Sequence, residues 1–188
     1  MDIKIYNNTI IAPVKCGSRY LDKIWENERI KFNHFEYLEF PKVKYIVVRD
    51  PMSHLISALH TETIVFINES GESDNFYHKL KDFMSPHGAT HWCVRFYEYF
   101  YYYKKKYGED VQVVKLENLT ELLKNLGHPI EYNPDEYHFN KYKIWWSKDE
   151  LYEILKDTHP NEINWLIDKV AIQNVYYNKL LNNNSSII

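Results

Sequence analysis

The sequence predicts an α/β fold, a mostly parallel central sheet flanked by helices. Three observations point there. Short apolar runs rich in β-branched residues, at 9–14, 43–48 and 111–116, read as buried strands. Amphipathic stretches of helical period separate them, and that alternation is the pattern of crossover-connected parallel strands. Of 188 residues, 45% are hydrophobic and 26% charged. That composition supports one folded domain over residues 1–188 rather than two small ones or a disordered chain.

Taken in order, residues 3–5 and 9–14 read as strands around an Asn7-Asn8 turn. A tight turn at Lys15–Gly17 leads into a helix over Ser18–Glu28, with Tyr20, Leu21, Ile24 and Trp25 on one face. Residues 29–40 alternate poorly and are left as an irregular segment with a short helical or extended piece, ended by Pro41. Val43–Val48 is the best buried strand in the chain. Pro51 suits the first turn of the next helix, whose apolar face is Leu55, Ile56, Leu59 and Ile64. Residues 67–74 read as a polar loop, 75–84 as a helix, and Ala89–Tyr107 as a longer aromatic-rich helix stopped by Gly108. Val111–Leu116 is the third strand, and a helix over Glu117–Leu126 ends at Gly127. Residues 128–146, with two prolines and no clear period, read as a long loop. Ser147 and Glu150 form a capping box that opens a helix to Asp157, and a last helix spans 161–182 before a frayed tail.

Several function classes are disfavoured by the totals. A net charge of −3 argues against a general nucleic-acid or membrane-surface binder. The two cysteines, Cys16 and Cys93, form no metal-type pair and no disulfide framework. The first residues lack the basic and apolar regions of a signal peptide, and no run approaches the ~20 apolar residues of a membrane span. A cytoplasmic protein is therefore expected, with no metal cofactor, because no ligand-spaced His/Cys/Asp cluster is visible.

The chemistry concentrates in Val14–Leu21, VKCGSRYL. A strand, a tight turn and a helix N-terminus bring backbone N–H groups and the positive end of a helix dipole together, and Lys15 adds a full charge. The stretch is not a Walker A loop, which places its lysine directly after a glycine and needs another glycine upstream. Here the lysine precedes Gly17 and Ser18. Arg49 follows the best strand, and Ser57 lies eight residues on in the next helix. Ligands of open α/β sheets sit beyond the carboxyl ends of the strands, so Arg49 and Ser57 are placed to hold a second anionic group near the first. The plainer alternatives are an ion pair for Arg49 and a backbone-bonded helix serine for Ser57.

VKCGSRYL resembles the 5′-phosphosulfate loop of sulfotransferases, which reads lysine, any residue, glycine, then a hydroxyl residue. YIVVRDPMSHLISALH, residues 45–60, resembles their 3′-phosphate motif, and VQVVKLENL, residues 111–119, resembles a later strand of that family. Together these stretches cover much of residues 10–120. The resemblance implies a P-loop-containing, sulfotransferase-like fold. It implies a donor, 3′-phosphoadenosine 5′-phosphosulfate (PAPS), with adenosine 3′,5′-bisphosphate (PAP) as product. Lys15, Gly17, Ser18, Arg19 and the amides of Cys16 and Tyr20 would cradle the phosphosulfate, and Arg49 and Ser57 the 3′-phosphate. Two departures stand out. Position 54 is His where the family often has a second arginine, and position 59 is Leu where an aromatic is common.

The acceptor, expected to be a sugar hydroxyl, must lose its proton as the sulfuryl group arrives. Candidate bases are His34, Glu36, His60 and Glu62. HFEYLEF, residues 34–40, resembles a stretch of carbohydrate 2-O-sulfotransferases in which the histidine is the base, which favours His34. His87, His91 and Trp92 either line an acceptor pocket or are loop and core residues. Lys104–Lys106 read as the solvated end of a helix, Asn140, Lys141 and Lys143 as a lid over the nucleotide, and Cys16 as a small turn residue lending its N–H. Two other functions stay open: an ATP-using phosphotransferase with a P-loop-like site, and a nucleotide-binding module without catalysis.

Overall fold

The structure, a computed structural model, describes residues 3–25, 28–32, 41–71, 76–89, 91–128 and 145–182. Its centre is a five-stranded sheet in the order β3-β1-β2-β4-β5, formed by β1 (Ile3–Tyr6), β2 (Ile10–Pro13), β3 (Arg29–Phe32), β4 (Tyr45–Val48) and β5 (Gln112–Lys115). The expected strand and helix alternation is present, but the sheet is mixed rather than mostly parallel. β2, β4 and β5 run parallel, whereas β1 is antiparallel to both β2 and β3. The reason is local. Asn7 and Asn8 both take positive φ, 46° and 49°, the requirement of a tight hairpin turn, and Thr9 N donates to Tyr6 O across it. The hairpin turns β1 back along β2. β3 comes from the segment left unassigned by sequence and closes the edge.

Described side chains of β1, β2, β4 and β5 alternate between the two faces. Ile5, Ile11, Ile46, Val48 and Val113 face a layer made by α4 (Phe96–Tyr107) and the end of α7 (Pro160–Asn182), including Phe96, Tyr97, Phe100, Tyr103 and Leu180. Tyr6, Ile10, Ala12, Tyr45, Val47 and Val114 face α1 (Ser18–Trp25) and α5 (Leu119–Asn125). The sheet is thus covered on both faces. A third cluster joins α2 (Pro51–Ser70), α3 (Tyr77–Met84), α6 (Lys148–Thr158) and the first half of α7, through Leu55, Phe83, Trp92, Leu155 and Leu166.

Two helix boundaries differ most from expectation. α2 runs on to Ser70, through residues read as loop. Its last turn is polar but bonded back, Asn68 Nδ2 to Ile64 O and Ser70 Oγ to Phe66 O, and Gly71 at φ 71° ends it. α4 begins at Phe96, not Ala89. Gly88, at φ +66°, turns the chain so tightly that a Cβ there would lie 1.9 Å from the Trp92 carbonyl oxygen, so the buried Trp92-Cys93-Val94 stretch packs without being helical. α6 opens on the expected capping box, with both Ser147–Glu150 bonds formed. Of the expected 128–146 loop, residues 129–144 lie outside the described residues, and so do Asn140, Lys141 and Lys143. No helix among the described residues is long and apolar enough to cross a membrane.

Candidate functional site

The parallel strands β2, β4 and β5 end at one edge of the sheet, and their register sets Val48 beside Lys115. That edge gathers the Lys15 turn, Arg49 and the start of α2, as expected of a site at the carboxyl ends of parallel strands. The turn is strained and closely packed. Lys15 is at φ 71° and Gly17 at φ 79°. A Cβ on Gly17 would meet Leu119 Cδ2 at 2.5 Å and Leu116 Cδ1 at 3.0 Å, so only glycine fits against the start of α5.

Several backbone donors are engaged within the turn itself. Cys16 N donates to Pro13 O, and Tyr20 N and Leu21 N both donate to Gly17 O, each at 3.0 Å. The two amides expected to serve as cradle donors, of Cys16 and Tyr20, are therefore engaged inside the turn. Gly17 is the cap of α1, so the amides of Ser18 and Arg19 lie in the first turn, where the helix's own ladder has no acceptor for them. α1 is fixed in direction from behind. Tyr6 Oη donates to Ser18 O at 2.7 Å, and Asp22 pairs with Lys4 at 2.6 Å and Arg29 at 2.9 Å.

Arg49 and His54 hold the turn from the α2 side. Arg49 Nη1 donates to Lys15 O at 3.2 Å, and the His54 ring meets Val14 O through Nε2 at 3.1 Å. A carbonyl only accepts, so Nε2 carries the proton, and the buried Nδ1 makes no hydrogen bond of normal geometry among the described residues. Burial, reinforced by Arg49, pushes His54 down to about 3, so the ring stays neutral. His54 is thus a buried prop under the loop. The backbone of Arg49 is itself held, since Tyr97 Oη donates to its carbonyl. Asp50 caps α2 through Ser53 N at 2.8 Å and is not an ion-pair partner of Arg49.

The electrostatics favour an anion. Burial, and then the charges of Arg19, Lys148 and Arg49, push the half-buried Lys15 ammonium down to about 7, with Glu62 acting in the opposite direction. Cations from α1, from the residue after β4 and from α6 thus all act on Lys15 in a chain whose net charge is −3. Ser18 and Ser57 are 2% and 5% exposed, and neither hydroxyl makes a hydrogen bond among the described residues. Cys16 is fully buried and its thiol is pushed up to about 12 by that burial, which suits a packed turn residue and not a nucleophile.

Among the base candidates, His34 and Glu36 lie outside the described residues. His60 Nε2 meets Trp146 O at 2.9 Å and ties α2 to the residue before Ser147, the cap of α6. Glu62 is buried at 7% exposure and bound to His91 Nδ1 at 2.6 Å. Trp92 is core, edge-on to His54 at 5.5 Å between centroids. Lys104, expected in solvent, is instead buried and donates to Val111 O at 2.7 Å. Three features escaped sequence reasoning: His54 as a prop, Lys148 as a fourth cation, and the Glu62–His91 pair. His54 carried a signal in its distance of five residues from Arg49, and Glu62 and His91 were each marked by sequence but not as a pair. Among the described residues, no three His, Cys, Asp or Glu side chains converge as metal ligands do. No known protein family matches the chain, and no curated protein or solved structure matches it significantly.

Proposed function

We propose that this chain is a sulfotransferase. It moves a sulfuryl group from 3′-phosphoadenosine 5′-phosphosulfate to a hydroxyl acceptor, in the expected case a sugar, within a sulfotransferase-like fold. The observation that carries the reading is the junction of the Lys15 turn with Arg49, 3.2 Å apart through the Lys15 carbonyl. It brings the two motifs of the resemblance to one sheet edge, with two buried serine hydroxyls left to donate.

In this reading Lys15, Ser18, Arg19 and the first amides of α1 hold the phosphosulfate. Arg49 and Ser57 hold the 3′-phosphate, the group that separates this donor from ATP. The oxygen bridging sulfur and phosphorus gains charge as the bond breaks, and Lys15 is the cation beside it. An arriving anion offsets the neighbouring cations, so Lys15 takes up a proton as the donor binds and is fully charged when the leaving group needs it. The resemblance gives the acceptor's proton to His34.

The test is thermal unfolding with adenosine 3′,5′-bisphosphate, ATP and AMP, because a ligand of the folded state raises the midpoint. The bisphosphate is expected to stabilise most. A larger shift with ATP overturns the reading in favour of a phosphotransferase. Preference for the bisphosphate without transfer to any acceptor identifies a binding module.

A further inference from the structure

We infer that His91, held by Glu62, is the base that takes the proton of the acceptor hydroxyl. This rests on the sulfotransferase reading and departs from it at one point, giving the acceptor proton to His91, which no motif marks, in place of His34. His91 Nδ1 and Glu62 Oε1 are 2.6 Å apart. A carboxylate only accepts, so Nδ1 carries the hydrogen and the lone pair is on Nε2. Nε2 has no hydrogen-bond partner among the described residues. The carboxylate is buried and the imidazole is the more open of the two, with side-chain exposures of 9% and 18%. A fixed tautomer backed by a buried carboxylate is the arrangement that orients a histidine base and stabilises its protonated form.

The pair lies beside the turn: His54, on the same helix as Glu62, meets Val14 O at 3.1 Å and is edge-on to Trp92, the residue after His91. Lys15 and Arg19 act electrostatically on His91, and Glu62 acts on Lys15. The charged and titratable groups facing the pair are Lys15 and Arg19 from the turn and α1, His54 from α2 and Lys79 from α3. Burial lowers His91 and outweighs the bond to Glu62, with Lys15 and Arg19 acting in the same direction as burial. The ring is therefore neutral near pH 7 and able to accept a proton. Burial alone would raise Glu62, but its bond to His91 and the charges of His91 and Lys79 bring it below its ordinary value, so it is ionised.

The step balances. The acceptor oxygen attacks sulfur and an O–S bond forms. The bond from sulfur to the 5′-phosphate oxygen breaks, and its electron pair leaves with the bisphosphate beside Lys15. The acceptor proton passes to His91 Nε2, and Glu62 keeps its charge throughout.

The test follows sulfuryl transfer from labelled PAPS to water and to a panel of methyl glycosides, beside bisphosphate binding by thermal shift. His91→Ala is expected to lower kcat about 100-fold or more while the bisphosphate shift stays within error of wild type. Glu62→Gln still accepts from Nδ1 but lacks the charge. It is expected to lower kcat about tenfold and to move the acid limb of the kcat profile to lower pH, which a purely structural role would not do. His91→Gln covers the case in which the alanine variant does not fold. A wild-type chain that transfers to no acceptor overturns the sulfotransferase reading itself. Transfer by wild type with kcat of both His91 variants within threefold of it, or loss of transfer in His34→Ala alone, overturns only the role of His91.

Discussion

Arg49 and Lys15 are joined through backbone, not charge: the guanidinium donates to the Lys15 carbonyl at 3.2 Å while the ammonium of Lys15 is pushed down by that same guanidinium. One residue thus shapes the turn and raises its electrostatic cost. The turn is held in a conformation in which Lys15 and Gly17 both take positive φ.

Arg49→Ala removes both effects. Loss of one hydrogen bond from a charged, half-buried donor costs about 1 kcal/mol of stability. Binding of adenosine 3′,5′-bisphosphate is expected to weaken tenfold or more, about 1.4 kcal/mol. Arg49→Lys keeps the charge but lacks the planar fork, so it recovers part of the affinity and little of the turn. Calorimetric titration of the three proteins checks the ranking. Equal affinity in Arg49→Ala and wild type would remove Arg49 from the site.

Gly17→Ala separates packing from conformation. A Cβ at this position needs both a left-handed backbone and room, and Leu119 Cδ2 stands at 2.5 Å. Gly71 shares the left-handed backbone, at φ 71°, but has nothing within 4 Å. Gly71→Ala is therefore expected to lose about 1 kcal/mol, and Gly17→Ala about 2–4 kcal/mol, because the start of α5 must also shift. Urea midpoints at one pH give the comparison, and equal losses would show that Leu119 yields freely.

What the sequence makes legible follows from whether a signal is local. β4 was readable because Tyr45–Val48 is buried on both faces and so wholly apolar. β3 was not, because it is an edge strand with Ile30 45% exposed, and no alternation marks it. The polar end of α2 reads as loop until its side chains are seen bonding back to their own helix. The meeting of the Lys15 turn with Arg49 at one sheet edge was readable because turn chemistry and strand ends are short-range features. Glu62 and His91 are 29 residues apart in sequence, and Lys148 reaches the turn from α6. Tertiary packing alone brings these together, and no spacing rule foretells it.

His54 predicts an acid sensitivity separate from that of the carboxylates. Its folded value is about 3 against an ordinary 6.5, set by burial and then Arg49. Between those values the unfolded chain binds more protons than the folded one, so stability falls as pH drops from 6.5 toward 3. His91, also lowered, adds to the same slope. Glu62 and Asp22 are lowered carboxylates and act mainly below their ordinary values near 4. The window from pH 6.5 to 5 therefore isolates the histidines. His54→Gln keeps a donor for Val14 O and does not titrate. It is expected to lose less stability across that window than wild type, by on the order of 1–2 kcal/mol. Denaturant midpoints at pH 5 and 6.5 decide it, and parallel losses would show that the ring is not held neutral.

Lys15 predicts a conflict between stability and function. Its ammonium is pushed from an ordinary 10.5 to about 7 by burial and by Arg19, Lys148 and Arg49. Below pH 7 both folded and unfolded chains carry the proton, and the folded chain bears the full cost of charging a crowded, half-buried group. Between 7 and 10.5 the unfolded chain binds more protons, so this contribution to stability rises with pH and the cost fades. Lys15→Met keeps the length and the apolar stem but removes the charge. At pH 6.5 and without ligand the variant is expected to be more stable than wild type, and at pH 9.5 the gap is expected to narrow. A gain of 1 kcal/mol moves the midpoint of a chain of this length by about 2–4 °C. The same variant is expected to lose the bisphosphate-induced shift and sulfuryl transfer. Wild type is expected to take up protons on binding near pH 7.5, seen as a dependence of the calorimetric heat on the ionisation enthalpy of the buffer. A variant that is less stable at pH 6.5, or that keeps the ligand shift, would mean that Lys15 belongs to the scaffold of the turn and not to its chemistry.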